Sequence, residues 1–227
     1  MSSIPIRQLH VWENHEANVR EVVLKALLIL KEEEDLPTDE NDVSRKLYFC
    51  IQRANRLLSD KGRGVPHPIT YQAQNAPDAS DLQATRSERK IPDFQWGITD
   101  QTVENPTKAD RHLIIECKRL GKLPSGGILN AKYVEDGVLR FITEEHRYGK
   151  YTDSGIMIGY VQNMELLDVW NEVDAAIKNH SLPLLIISNQ GWQKRGVSHL
   201  EHSLNRSFAV TPFLLRHFWV DLRHCYP

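Results

Sequence analysis

Cysteine is scarce in this sequence. There are three in 227 residues (Cys50, Cys117 and Cys225), widely spaced and odd in number. No two form a CxxC pair, which argues against a structural zinc site and a disulfide framework and fits a reducing, cytoplasmic compartment. Long apolar runs are also lacking. The longest are Val22–Leu30, broken by Lys25, and Leu182–Ile187, well short of the about 20 residues of a membrane span. Met1 to Asn14 carries His, Glu and Trp instead of a signal-peptide apolar run, so neither a secretory leader nor a membrane partner is expected. Neither charge is in clear excess: 28 Lys and Arg face 30 Asp and Glu, a net charge of −2. That excludes holding nucleic acid by bulk charge alone and leaves room for a local basic strip. There is no GxxxxGK[ST], no GxSxG and no HExxH, and Gly62-Arg63-Gly64 is too short for a dinucleotide loop. No internal repeat or low-complexity segment occurs.

Hydrophobic residues at 41% and charged residues at 26% are close to the averages of folded soluble domains, which makes disorder and coiled coil poor readings of the chain as a whole. The chain is long enough to bury its own core and reads as a single domain over residues 1–227. A helical part covers 1–60, a loop 61–89 and an α/β core 90–227.

Val19, Val22, Val23, Ala26, Leu27 and Leu30 recur at three and four, which predicts an amphipathic helix over about 15–31, ended by an acidic run and Pro37. Thr38 and Asp39 are N-cap types for a second helix at about 40–59, with Leu47, Cys50, Ile51, Ala54, Leu57 and Leu58 apolar and Gly62 and Gly64 at its close. Residues 60–89 have no periodicity and predict a long loop. Phe94, Trp96 and Ile98 alternate with Asp93, Gln95 and Gly97, as in a half-buried strand. Leu113–Lys118 is a second strand, with Leu113, Ile115 and Cys117 on one face and Ile114, Glu116 and Lys118 on the other. A helix over about 129–143 follows. The wholly apolar Gly155–Val161 reads as a strand buried on both faces, in a parallel crossover. A helix at about 164–179 and strands at about 183–188 and 213–221 complete an α/β fold, a mixed central sheet flanked by helices with a helical N-terminal part.

Chemistry concentrates at Pro92-Asp93, which opens one strand, and Glu116-Cys117-Lys118, which ends the next. Glu116 and Lys118, two apart, leave the same face of the pleat, and Asp93 lies on the neighbouring strand of a hairpin. Two carboxylates are hard oxygen ligands suited to Mg²⁺ or Mn²⁺. An adjacent ammonium orients a water or steadies developing phosphorane charge. This set suits metal-assisted phosphodiester hydrolysis better than simple acid–base work. The competing reading is an ordinary salt bridge between strand ends.

Pro92-Asp93 … Glu116-Cys117-Lys118 resembles the signature of the PD-(D/E)xK restriction-endonuclease-like superfamily, over about residues 38–188. Tyr133–Phe141 leading into Gly155–Val161 also looks like bacterial nuclease-like proteins of restriction or anti-phage type. The resemblance implies a Mg²⁺- or Mn²⁺-dependent DNA endonuclease, with a role in defence against foreign DNA by analogy. Asp93 and Glu116 then ligate the metal, the backbone carbonyl of Cys117 completes the site, and Lys118 positions the attacking water. The Cys117 side chain itself is expected in the core. The superfamily often adds an acidic residue from an early helix. Glu40 is the candidate, with Glu16 or Glu21 as alternatives and a helix first-turn carboxylate as the plain reading of Glu40.

Arg119, Lys122, Lys132, Arg140 and Lys150 are candidates for phosphate contact, with Arg147, Tyr148 and Tyr151 in the same loop as Lys150. His199, His202 and Arg206 form a late polar segment that is a weaker candidate for substrate contact or zinc. Trp12, Trp192 and Trp219 read as core. The near-neutral net charge implies a homodimer or a separate targeting subunit for action on duplex DNA. Two other classes stay open: an inert binding module on the same fold, and a phosphodiesterase acting on RNA or branched DNA.

Overall fold

The computed structural model describes residues 11–77, 86–123, 125–189 and 191–226. Two long helices open it. Helix α1 runs Val11–Lys31 and buries Trp12, Val19, Val22, Val23, Ala26, Leu27 and Leu30 along one stripe. It begins four residues before the predicted start because Trp12 and His15 extend that stripe; His15 Nε2 lies 3.1 Å from the Trp96 carbonyl. Helix α2 runs Glu40–Ser59. The Asp39 carboxylate accepts the Asn41 N–H at 2.9 Å and caps it. Beyond its end Gly62 takes a φ of +72°, the left-handed turn that stops the helix. Leu57, predicted on the apolar face, is exposed.

Seven strands form one mixed sheet in the order β1-β2-β3-β4-β7-β6-β5. They are β1 (Thr70–Tyr71), β2 (Phe94–Thr99), β3 (Asp110–Leu120), β4 (Ser154–Val161), β5 (Ile186–Ile187), β6 (Val197–Leu204) and β7 (Phe213–Asp221). The centre, β3-β4-β7, is parallel, and the remaining neighbours are antiparallel. Between β3 and β4 lies the short helix α3 (Asn130–Glu135), and α4 (Leu166–Asn179) follows β4. Leu113, Ile115 and Cys117 of β3 join α1 and α2 in one core cluster. Ile114 and Leu120 join α3 and α4 in another on the opposite face. Every residue of β4 is buried, as its unbroken apolar run predicts.

Three expectations are corrected. The loop at 60–89 contains β1, which pairs Thr70 with Gln95 and Tyr71 with Phe94, and a 3-10 turn at Ser87–Arg89; residues 78–85 lie outside the described residues. The helix expected over 129–143 is α3 plus a separate 3-10 turn at Val138–Phe141. Gly137 divides them, and a Cβ there would meet the Tyr133 carbonyl oxygen at 2.4 Å and Met157 Cε at 2.6 Å. The segment around His199 and His202 is the full strand β6, paired along its length with β7, while the strand expected at 183–188 shrinks to β5. Among the described residues no helix is long and apolar enough to cross a membrane.

Candidate functional site

Antiparallel pairing of β2 with β3 sets Phe94 opposite Ile115. Continued by one residue, the register places Asp93 opposite Glu116, where cross-strand side chains share one face at about 5 Å between Cβ atoms. Lys118 follows on that face. The three residues distant in sequence are therefore neighbours at the C-terminal half of β3, and all three are buried. Backbone contacts anchor Asp93: its carbonyl accepts the Gln72 N–H at 2.9 Å, and its Oδ2 accepts the Cys117 N–H at 2.7 Å.

The Lys118 ammonium uses three donors. Nζ lies 3.0 Å from Glu116 Oε1 and donates to Glu40 Oε1 and to the Cys117 carbonyl, each at 2.8 Å. Glu40, the first residue of α2, also accepts the Arg119 N–H on Oε2 at 3.0 Å. Helix α2 thus delivers a carboxylate to the end of β3. The two alternatives are engaged elsewhere: Glu16 pairs with Arg216, and Glu21 with Arg63 at 2.6 Å. Arg140, from the turn after Gly137, donates to Glu116 Oε1. Glu116 Oε2 has no hydrogen-bond partner, although the residue is 1% exposed.

Burial dominates the electrostatics. It raises the Glu116 carboxyl to about 7, helped by the neighbouring Asp93 charge and opposed by Lys118 and Arg140. Burial also raises Asp93, against the pull of Lys118 and the Cys117 N–H. For Lys118 burial acts downward, but Glu116, Glu40 and Asp93 outweigh it and hold the amine protonated above its ordinary range.

Among the described residues no group of three or more His, Cys, Asp or Glu side chains is arranged to hold a metal ion. Glu40 is turned to Lys118 and Arg119, which leaves Asp93 and Glu116 as a pair. The donor set still fits a small hard cation. Mg²⁺ characteristically binds through one or two carboxylates and keeps several waters. An unpartnered buried carboxylate oxygen beside a second carboxylate is the kind of group such an ion satisfies. The Cys117 carbonyl, the third expected ligand, accepts the Lys118 ammonium. The Cys117 thiol points to the opposite face and is fully buried, as expected of core.

Of the predicted phosphate contacts, Arg119, Lys132 and Arg140 line one open cleft of about 380 Å³ with Glu40 and Lys118. Arg119 Nη1 is tied to the Thr38 carbonyl at 3.0 Å. Lys122 is exposed beyond the end of β3, where its backbone pairs with the Asn163 side chain. Lys150 is not part of the cleft. Its Nζ donates to the Ala76 carbonyl at 3.0 Å, and with Arg147 and Tyr151 it borders a hollow beside His112 and Asp110. Lys118 is six steps along the strand from His112, about 20 Å. Tyr148 is buried beside Glu116 and Arg140. Asp136, which sequence reasoning passed over, also lines the cleft. Its signal was the spacing of four from Lys132 on one helix face.

The late polar segment does not join this site. His199 and His202 are three apart on a strand and so face opposite ways. His202 is buried with Nε2 2.5 Å from the Pro183 carbonyl, and His199 packs against Phe218. The pair therefore shares no ligand position. Arg206 is a buried clamp, donating to the carbonyls of Tyr148, Gly149, Thr152 and Val210 and stacked 3.8 Å over Phe213. Trp12 and Trp219 are core, and Trp192 packs partly buried on Trp170 and Trp219. No protein-family model, curated protein or solved structure matches this chain.

Proposed function

We propose that this chain is a divalent-metal-dependent endonuclease that hydrolyses DNA phosphodiester bonds. The observation that supports it is the meeting of Asp93, Glu116 and Lys118 on one sheet face, with a buried Glu116 oxygen left unpartnered. Asp93 and Glu116, with the Cys117 carbonyl, are the groups to hold Mg²⁺ or Mn²⁺, which supplies Lewis-acid activation and charge neutralisation when bound. Lys118 orients the attacking water and stabilises negative charge that grows on the phosphoryl oxygens. Water attacks phosphorus directly, with no covalent enzyme intermediate. Glu40 holds Lys118 in place through its 2.8 Å contact. Arg119, Lys132 and Arg140 border the open cleft as a short cationic lining for the phosphodiester backbone. With so local a basic footprint, cutting both strands calls for a homodimer or a targeting subunit. A role in defence against foreign DNA rests on the resemblance alone.

A second reading has one observation in its favour. All three Lys118 donors are already satisfied within the protein, as in an inert module on the same scaffold. Calorimetric titration with Mg²⁺ and Mn²⁺ separates the two, because an inert module binds neither. The deciding assay offers linear, circular, single-stranded and junction DNA, and RNA, to the wild type and to Lys118→Ala, with Mg²⁺ or a chelator. Expected is metal-dependent cutting of DNA that falls roughly a hundredfold or more in the variant. Cutting by Lys118→Ala at the wild-type rate would refute the role given to Lys118.

A further inference from the structure

Arg140 already supplies part of the positive charge that a divalent ion would bring to Asp93 and Glu116. Its guanidinium donates to Glu116 Oε1, the same oxygen that Lys118 contacts at 3.0 Å. Its charge also acts on Asp93. The two cations are held very differently. Lys118 is fastened on three sides, by Glu116, Glu40 and the Cys117 carbonyl, and its side chain is 10% exposed. Arg140 belongs to the short 3-10 turn that follows Gly137, and its side chain is 28% exposed. The buried Tyr148 hydroxyl accepts a hydrogen bond from it. Glu116 itself does not border the cleft, whereas the two side chains that touch it do. Its Oε2 is unpartnered and shut off from solvent. With Lys118 fastened, Arg140 is the group that can give way and open the carboxylates to the cleft.

A guanidinium and a divalent ion compete for one pair of carboxylates, because like charges a few ångströms apart repel strongly in a partly buried site. We propose that Arg140 is the counter-cation of Asp93 and Glu116 in the metal-free protein, that it gives way when a divalent ion binds them, and that its freed guanidinium then holds the phosphodiester in the cleft. The inference rests on the nuclease reading of this site and adds its regulation. The cleft suits the second position of Arg140. Of the two carboxylates that line it, Glu40 is engaged by Lys118 and the Arg119 N–H, which leaves Asp136 to face Arg119, Lys132 and Arg140. A phosphate anion is therefore the fitting partner for a guanidinium that has left Glu116. Metal and phosphate are linked in this way, and each strengthens the binding of the other by the same factor.

The test is calorimetric titration of the full chain with Mn²⁺ alone, in mildly alkaline buffer that keeps both carboxylates ionised. Arg140→Gln is expected to bind Mn²⁺ about tenfold or more tightly than the wild type, because a competing charge is gone. An arginine that merely props up the site would, on removal, weaken the metal instead. Tyr148→Phe keeps the ring in the core and removes only the hydroxyl that holds Arg140. It is expected to tighten Mn²⁺ by a smaller factor, and it becomes the deciding variant if thermal melting shows Arg140→Gln to be unfolded. Repeating the titrations in dimethyl phosphate, the smallest phosphodiester, is expected to raise the Mn²⁺ affinity of the wild type by a larger factor than that of the deciding variant. Mn²⁺ binding no tighter in that variant, or a phosphate effect no smaller there, overturns the role given to Arg140 and leaves the nuclease reading standing. Failure of the wild type and both variants to bind Mn²⁺ removes the nuclease reading itself, and this inference with it.

Discussion

Replacing Glu116 by glutamine keeps the shape of the side chain and removes its charge, so its effect on stability must depend on pH. The carboxyl moves from an ordinary value of 4.5 to about 7 on folding, chiefly through burial. At about 1.4 kcal/mol per pH unit this amounts to about 3 kcal/mol. Between these two values the folded state keeps a proton that the unfolded chain has released. Its contribution is therefore fully present below about pH 4.5 and is lost as pH rises to about 7. Glutamine has no such proton to lose. Urea unfolding should find Glu116→Gln near wild type at about pH 4.5 and about 3 kcal/mol more stable at about pH 8. A divalent ion gives a second arm: at about pH 8, saturating Mg²⁺ should stabilise the wild type more than the variant, because it neutralises the charge that the variant lacks. A difference between the two proteins that stays constant across the range would refute the claim that burial governs this carboxylate.

Two further substitutions probe the frame around the cleft. Gly137→Ala places a Cβ 2.4 Å from the Tyr133 carbonyl oxygen, which the backbone holds in place, and should cost roughly 1–3 kcal/mol; an unchanged melting temperature would show that the break between α3 and the following turn is soft. Arg206→Met strands the carbonyls of Tyr148, Gly149, Thr152 and Val210, at about 3 kcal/mol or more. Hydrogen exchange should accelerate first in residues 148–153, and uniform protection there would show that the clamp is dispensable.

The parts of the fold legible in the sequence are those where a period matches a burial pattern. The stripe from Val19 to Leu30, the face of α2 from Leu47 to Leu58 and the unbroken run of β4 each signal their own element. What escaped has a physical cause in each case. Strand β1 is two residues long, too short to show any alternation, and exists because β2 offers its edge. Strand β6 reads as polar because Ser198, His199, Glu201, His202 and Ser203 fill it, yet Ser198 and His202 are buried. Partners outside the strand satisfy them: Ser198 Oγ accepts the Gln193 N–H at 3.1 Å, and His202 meets the Pro183 carbonyl. Hydropathy cannot see partners that tertiary structure supplies. In α3 the apolar spacing continues through Val138 and Phe141 although the helix stops, since a 3-10 turn also keeps those side chains inward.

The site was legible for a different reason, which is that pleat and register are rigid rules. Glu116 and Lys118 share a face because they are two apart. Asp93 faces them because an antiparallel pair that matches Phe94 with Ile115 has one possible next rung. No comparable rule ties α2 to the end of β3, and so the sequence favours Glu40 over Glu16 and Glu21 only by its place at the start of the second helix, each being a carboxylate on an early helix. Packing separates them. Helix α1 lies over β7, where Glu16 meets Arg216, while the first turn of α2 meets the end of β3, where Glu40 reaches both Lys118 and the Arg119 N–H. Long flexible cations are the hardest to place, because their heads travel. Arg140 sits only after the turn at Gly137 redirects the chain toward Glu116, and Lys150, in the turn before β4, lies beside the opposite end of β3. A sheet therefore fixes which acids meet, and the connections around it decide which bases join them.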